Sequence, residues 1–309
     1  MEARPMSFKN IPPGYLILIM FLSAQILGTV VGILLTDKSP QIKEFQEMAV
    51  TPVAEKGSML NTLFFFGYIL VMAVVLYFGI KVYKGVLLFR VLEFLVITFA
   101  TSIVFFVLLT VAGLDPDMSM LAGIAIGLLI AIGKNWLHPL RNAGAIISSG
   151  GVGAIFGFSL GFIPSLLFAV LLSIYDYIAV FKTKHMVKFA ETFTQQDLAF
   201  TIAAGPKPSE KEKKELEKIP FEERVKKIKR TELGTGDLVI PVVLSVSVYP
   251  VLGLVGSLCV IFFTTLALYA MMRYHMTKKQ VLPALPPITA GAIVGMVVAY
   301  ILNYVVLII

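Results

Sequence analysis

Four ionisable side chains remain within the apolar stretches of this sequence once those in polar connections and at segment ends are set aside: Arg90, Glu93, Asp176 and Asp237. An ionisable group in hydrocarbon costs on the order of several kcal/mol, so each is a functional candidate by default. Arg90 and Glu93 are three residues apart on one predicted helix, near its end. There, opposite charges pair and long side chains reach the interface, so the two read as a self-neutralising anchor. Asp176 and Asp237 have no such neighbour. Asp176 lies six residues before Lys182, and at 1.5 Å per residue it sits roughly 9 Å inside its boundary. Asp237 follows Glu232 by five residues and sits about 7 to 8 Å inside the same boundary on the next span. The depths match, and the two spans run antiparallel.

Two carboxyl groups a few ångströms apart cannot both ionise, which leaves a base and an acid side by side. The base can take a proton from a water attacking an amide carbonyl, and the acid can protonate the developing oxyanion. The shared proton belongs to the pair, so neither aspartate is assigned a role. Two unrelated helix-end aspartates, or an ion-coupling pair, remain open on depth alone. Gly234 and Gly236 remove side chains just before Asp237, so another backbone can come close and the segment can bend. Pro283-Ala284-Leu285-Pro286-Pro287 opens the last apolar run. Its prolines leave irregular backbone with free polar groups at the depth of the carboxyls, where an extended peptide could add as a strand; a plain helix-start proline cluster is the other reading.

Elements of a particular kind must position these residues. Of the 309 residues 58% are hydrophobic and 15% charged, and the mean hydropathy is +0.88. A soluble globule carries about a quarter charged residues, so most cytosolic enzymes and any disordered protein are excluded. Runs long enough to span a bilayer fall at about 14–36, 59–80, 86–113, 118–133, 142–160, 161–181, 233–250, 252–272 and 284–309. The expectation is an all-α polytopic membrane protein with nine transmembrane helices. Period-two alternation is absent over these lengths, which disfavours a membrane barrel. The first run lacks a cleavage site and reads as a retained helix.

With nine spans, the N-terminus and the even-numbered connections share a side that holds twenty-two Lys and Arg, against three on the other. The positive-inside rule then puts the N-terminus and the 182–232 loop in the cytoplasm and the C-terminus outside, with the cell membrane the expected location. That distribution explains the net charge of +7 better than nucleic acid does. Cys259 is the single cysteine, so no intramolecular disulfide or cysteine metal cluster is expected, and no metal or organic cofactor is indicated. Glycines at four-residue spacing, Gly123 and Gly127, Gly153, Gly157 and Gly161, Gly291 and Gly295, suggest closely packed helices.

Tyr175-Asp176, Gly234-Thr235-Gly236-Asp237 and Pro283-Ala284-Leu285, in this order on the sixth, seventh and ninth of nine spans, resemble the presenilin and signal peptide peptidase family. The resemblance implies a GxGD-type intramembrane aspartyl protease in which Asp176 and Asp237 are catalytic. Tyr175, Gly234, Thr235, Gly236, Pro283, Ala284 and Leu285 would support the site or bind substrate. Thr235 departs from the leucine usual in presenilins, which would bear on subsite preference. The inward-facing loop and Pro286 look presenilin-like, and the short loops suggest a prokaryotic, archaeal-type homologue. The organisation expected is a scaffold over 1–160, a helix with the first aspartate over 161–181, a charged loop over 182–232, and the remaining helices with the second aspartate and the Pro-Ala-Leu motif over 233–309. Transmembrane helical proteins would be the substrates and the lipid bilayer the surroundings. A homo-oligomer is compatible, and no obligatory partner subunits are expected.

Other proteases fit less well. His138, His185 and His275 lie in connections and none begins a His-Glu-x-x-His run, against a zinc enzyme. No histidine is embedded in a span to serve a serine nucleophile. The rival from another class is a cation or proton transporter or channel using the same two carboxylates, but the chain shows no repeated halves. Residues 193–204 of the loop are apolar yet too short to span. They read as an interfacial segment, or alternatively as a plug over the aspartates or a self-cleavage site.

Overall fold

The computed structural model describes residues 12–37, 58–82, 87–183, 201–206, 212, 230–278 and 283–308. Among them are nine α-helices: α1 (Pro13–Thr36), α2 (Met59–Val82), α3 (Leu87–Val111), α4 (Pro116–Gly133), α5 (His138–Leu160), α6 (Phe162–Ile178), α7 (Thr235–Ser247), α8 (Tyr249–Lys278) and α9 (Leu285–Ile308). Seven stretches are long and apolar enough to cross a membrane, and Met59–Met72 and Thr235–Ser247 are shorter apolar helical stretches. The fold is the all-α polytopic arrangement expected.

Local chemistry sets the boundaries. Asp115 caps α4 by accepting from the amides of Asp117 and Met118, with Pro116 at the first helical position. Gly161, at φ 76°, ends α5 and opens α6 in a conformation that side chains with a Cβ resist. It therefore breaks the chain between two spans, while Gly153 and Gly157 pack. A methyl group on Gly153 would come within 2.6 Å of the Val242 side chain, and one on Gly157 within 2.7 Å of the Val243 carbonyl. These two glycines, with Gly28 and Gly32 of α1, let α5 and α1 close on either flank of α7. The Gly123/Gly127 and Gly291/Gly295 pairs likewise seat α4 on α3 and α9 on α8.

The short helix α7 is consequently the centre of the bundle, with Leu238 and Ile240–Ser247 buried. Lipid offers buried polar groups no partner, and hydroxyls tie the surrounding helices to this centre. Thr29 and Ser245 lie 2.6 Å apart, Ser257 donates to the Ser245 carbonyl at 2.7 Å, and Thr264 donates to Gln25 at 2.8 Å.

Two features differ from the sequence expectation. First, residues 201–204 do not simply lie at the interface: Thr201–Ala204 forms strand β1, antiparallel to β2 (Thr231–Gly234) in the register Ile202↔Leu233. Four residues whose partner lies some thirty positions on give no strand signal by themselves. Residues 193–200 of the segment lie outside the described residues. Second, Glu93 forms its ion pair with Lys134, at the C-terminal end of α4, with both side chains nearly buried. The self-neutralising Arg90/Glu93 anchor is thus replaced by a bridge between helices, because Lys134 is brought alongside α3 when α4 packs on it.

Candidate active site

Asp176 lies near the end of α6, just before a π-helical turn over Ala179–Thr183, and is 7% exposed. Its Oδ2 accepts a hydrogen bond from the Leu285 amide at 3.3 Å. That donor is singled out by the sequence around it. The first amides of a helix have no partner within it, and the second and third residues of α9, Pro286 and Pro287, have no N–H to offer. Leu285 is therefore the one amide available in this opening turn, and it is spent on the carboxyl. One turn earlier, Ser173 and Thr289 join the same two helices by a 2.6 Å contact between hydroxyls. Pro283 and Ala284 are buried beside them.

Asp237 is the third residue of α7 and accepts from the Gly234 amide, where Gly234 is the N-cap. This return bond from the third helical residue to the cap is half of a capping box. Glycine gives it room: a Cβ on residue 234 would stand 3.2 Å from Oδ2 of Asp237, a tight contact. Gly236 is exposed, and a Cβ there would meet nothing within 4 Å. The two glycines thus serve different ends, one admitting the carboxyl to the cap and one leaving open space beside it. Asp176 lies near enough to Asp237 for its charge to act on it. Tyr175 and Thr235 are half-buried at the same level. Among the described residues no three His, Cys, Asp or Glu side chains converge as metal ligands.

The ribbon leads directly into this site, since the last residue of β2 is the cap of α7. Ile202, Ala204 and Leu233 pack in one apolar cluster with Leu238, Ala284 and Ile288, so the ribbon, α7 and the Pro-Ala-Leu segment share a core. Asn142, near the start of α5, holds β1 from outside. Its Nδ2 donates to the Ala203 carbonyl at 2.9 Å, and its Oδ1 accepts from the Ala203 amide at 3.2 Å. Arg141 adds a bond to the Thr201 hydroxyl at 3.2 Å. In an antiparallel pair the inward-facing residues alternate. With Ala203 turned to Asn142, Ile202 and Ala204 bond to Leu233 and Thr231. Asn142 was not singled out in the sequence; a polar residue on the first turns of a span carries no signal until its partner strand is known.

The two aspartates thus stand among several apolar spans. Residues 20–305 match the family model described as signal-peptide peptidase, presenilin aspartyl protease, and the chain belongs to that family. It is an aspartic endopeptidase, an intramembrane aspartyl protease. The fold is similar to a presenilin family intramembrane aspartate protease solved in space group C222, at 22% identity and a TM-score of 0.65, over 94% of this chain and 100% of that one. A presenilin family intramembrane aspartate protease in space group P2 gives 23% identity and a TM-score of 0.58, over 92% and 96% of the two chains. No curated protein matches the sequence.

Proposed function

We propose that Asp176 and Asp237 hydrolyse peptide bonds within transmembrane segments of membrane proteins by an activated water. The observation that carries this reading is that the two carboxyls lie near each other while each is held by one backbone amide, Leu285 on Asp176 and Gly234 on Asp237. The ionised member removes a proton from water as the oxygen attacks the scissile carbonyl, and the protonated member gives its proton to the carbonyl oxygen. In the resulting tetrahedral adduct the C–N bond breaks. The nitrogen leaves as an amine after taking the pair's proton, and the new acid's carbonyl re-forms as one hydroxyl of the adduct returns its proton to the pair.

A helical substrate shields its amides, so the segment must unwind before it is cut. Gly236 opens on unfilled space beside Asp237, and β2 runs straight into the cap of that helix. An extended substrate following β2 arrives at the carboxyl with its amide exposed. Helices α1–α5 act as scaffold, the N-terminus and the 182–232 loop face the cytoplasm, and no partner subunit is required. The transporter alternative is not favoured by the family to which the chain belongs.

The test is cleavage of a transmembrane peptide by the reconstituted protein, with Asp176→Ala and Asp237→Ala each expected to abolish it. Full cutting by either variant, or aspartate-dependent ion flux without products, would end the proposal.

A further inference from the structure

Between the start of α3 and the end of α4, at the end of the bundle that carries the basic connections, lies a cavity of about 240 Å3. Arg90, Glu93, Phe94, Ala131, Lys134 and Asn135 line it. The charges in it do not cancel. The Glu93 carboxylate is taken up by Lys134, with side chains 5% and 6% exposed. Arg90 is exposed and makes no ion pair among the described residues. Arg90 and Lys134 both line the cleft, so two cations stand in it with the one carboxylate.

The lining is also graded in polarity along the helix axes. Arg90 and Phe94 are four residues apart on one face of α3, and Ala131 and Lys134 three apart on one face of α4. The cationic groups and the Asn135 amide therefore sit at the membrane boundary, and Phe94 and Ala131 sit one turn deeper toward the bilayer centre. Beside them Trp136, 77% exposed, and Leu137, 57% exposed, stand where interfacial side chains are found. A soluble anion has no use for an apolar floor beneath the cations, whereas a phospholipid has this same succession of charge and hydrocarbon.

We propose that the cleft between α3 and α4 binds an anionic phospholipid, its headgroup phosphate on Arg90, the Lys134 edge and Asn135, and its upper acyl chain along Phe94 and Ala131. The site is separate from the carboxyl pair and does not depend on how that pair works. Phosphate is the shared chemistry, and the bilayer is the committed source, since basic pockets between membrane helices on this side are where lipid headgroups collect.

The full chain in nanodiscs of phosphatidylcholine, or of phosphatidylcholine mixed equally with phosphatidylglycerol, can be released into a native mass spectrometer and the retained lipid counted. The wild type is expected to keep phosphatidylglycerol in preference to phosphatidylcholine. Arg90→Gln should weaken that retention about fivefold, the worth of one basic residue at an anionic surface, and Arg90→Lys should restore most of it. Arg90 is exposed and makes no ion pair among the described residues, so equal thermal unfolding of wild type and Arg90→Gln in phosphatidylcholine alone serves as the folding control. Equal phosphatidylglycerol retention by both overturns the proposal. So does Arg90-dependent binding of inorganic phosphate with no preference for the anionic lipid.

Discussion

The amide of Leu285 reaches the Asp176 carboxyl because the two residues that follow it are prolines: of the three positions opening α9, only the first has a proton to give. The relation ties the Pro-Ala-Leu segment to one carboxyl directly, through backbone, where the leucine side chain is secondary.

Leu285→Pro removes the amide but places proline at the first position of a helix, where it is tolerated. Loss of a hydrogen bond to a charged group is worth about 1.5–3 kcal/mol, so peptide hydrolysis should fall roughly 10- to 100-fold. Leu285→Ala keeps the amide and should cost far less. Rates for the two variants on one transmembrane substrate check this, and equal losses would assign the leucine's importance to its side chain.

Gly234→Ala and Gly236→Ala should separate. At 234 the new methyl meets Oδ2 of Asp237 at 3.2 Å and crowds the carboxyl at its cap, so activity should drop, by up to about tenfold if the charge-assisted bond is lost. At 236 the methyl meets open space, and replacing a helical glycine should raise stability by about 0.4–1 kcal/mol. Its effect should appear in which substrates are accepted. Thermal unfolding alongside a small substrate panel distinguishes the two.

Asn142→Ala deletes both bonds to Ala203 and should release β1. Amide hydrogen exchange over 201–204 and 231–234 is expected to quicken, with slower turnover because the cap of α7 loses its anchor. Asn142→Asp keeps the acceptor and turns an oxygen toward the Ala203 carbonyl, and should behave like the alanine variant. Unchanged exchange in both would show that the ribbon stands on its apolar contacts alone.

Removing Glu93 from its buried pair leaves the Lys134 ammonium without its carboxylate, at a cost of about 3–5 kcal/mol. Glu93→Gln should destabilise strongly, Lys134→Met less because Arg90 stands in the same cleft as the carboxylate, and the double variant should recover much of the Glu93→Gln loss. A thermal or denaturant comparison of the three reads the coupling.

A pair that works with one proton between its carboxyls loses activity on both sides of its optimum. Below it both groups are protonated and the base is gone; above it both are ionised and the acid is gone. Hydrolysis should follow a bell against pH, while a flat profile would remove the shared proton from the scheme.

Much of this was legible in the sequence, because apolar length, glycine spacing and stranded charge are local quantities. Nine helices, the packing of Gly153 and Gly157, and the nearness of Asp176 to Asp237 all follow from such counts. What escaped were relations between distant residues. Thr201–Ala204 becomes a strand only because Thr231–Gly234 is delivered beside it, and Asn142 acquires a function only once Ala203 lies against it. Glu93 was paired with its neighbour on the same helix because nothing local announces that Lys134 ends its own helix next door. In sequence the two glycines before Asp237 look alike; only their surroundings divide a close-fitting position from an open one.

Gripped between the glycine faces of α1 and α5, the seventh helix has no slack to rotate or slide without driving valines into backbone. Asp237 is in effect bolted to the frame. The opposing carboxyl is clamped from the other side, since Asp176 and Ser173 are both fastened to the ninth helix, and that helix is itself seated on α8 by Gly291 and Gly295.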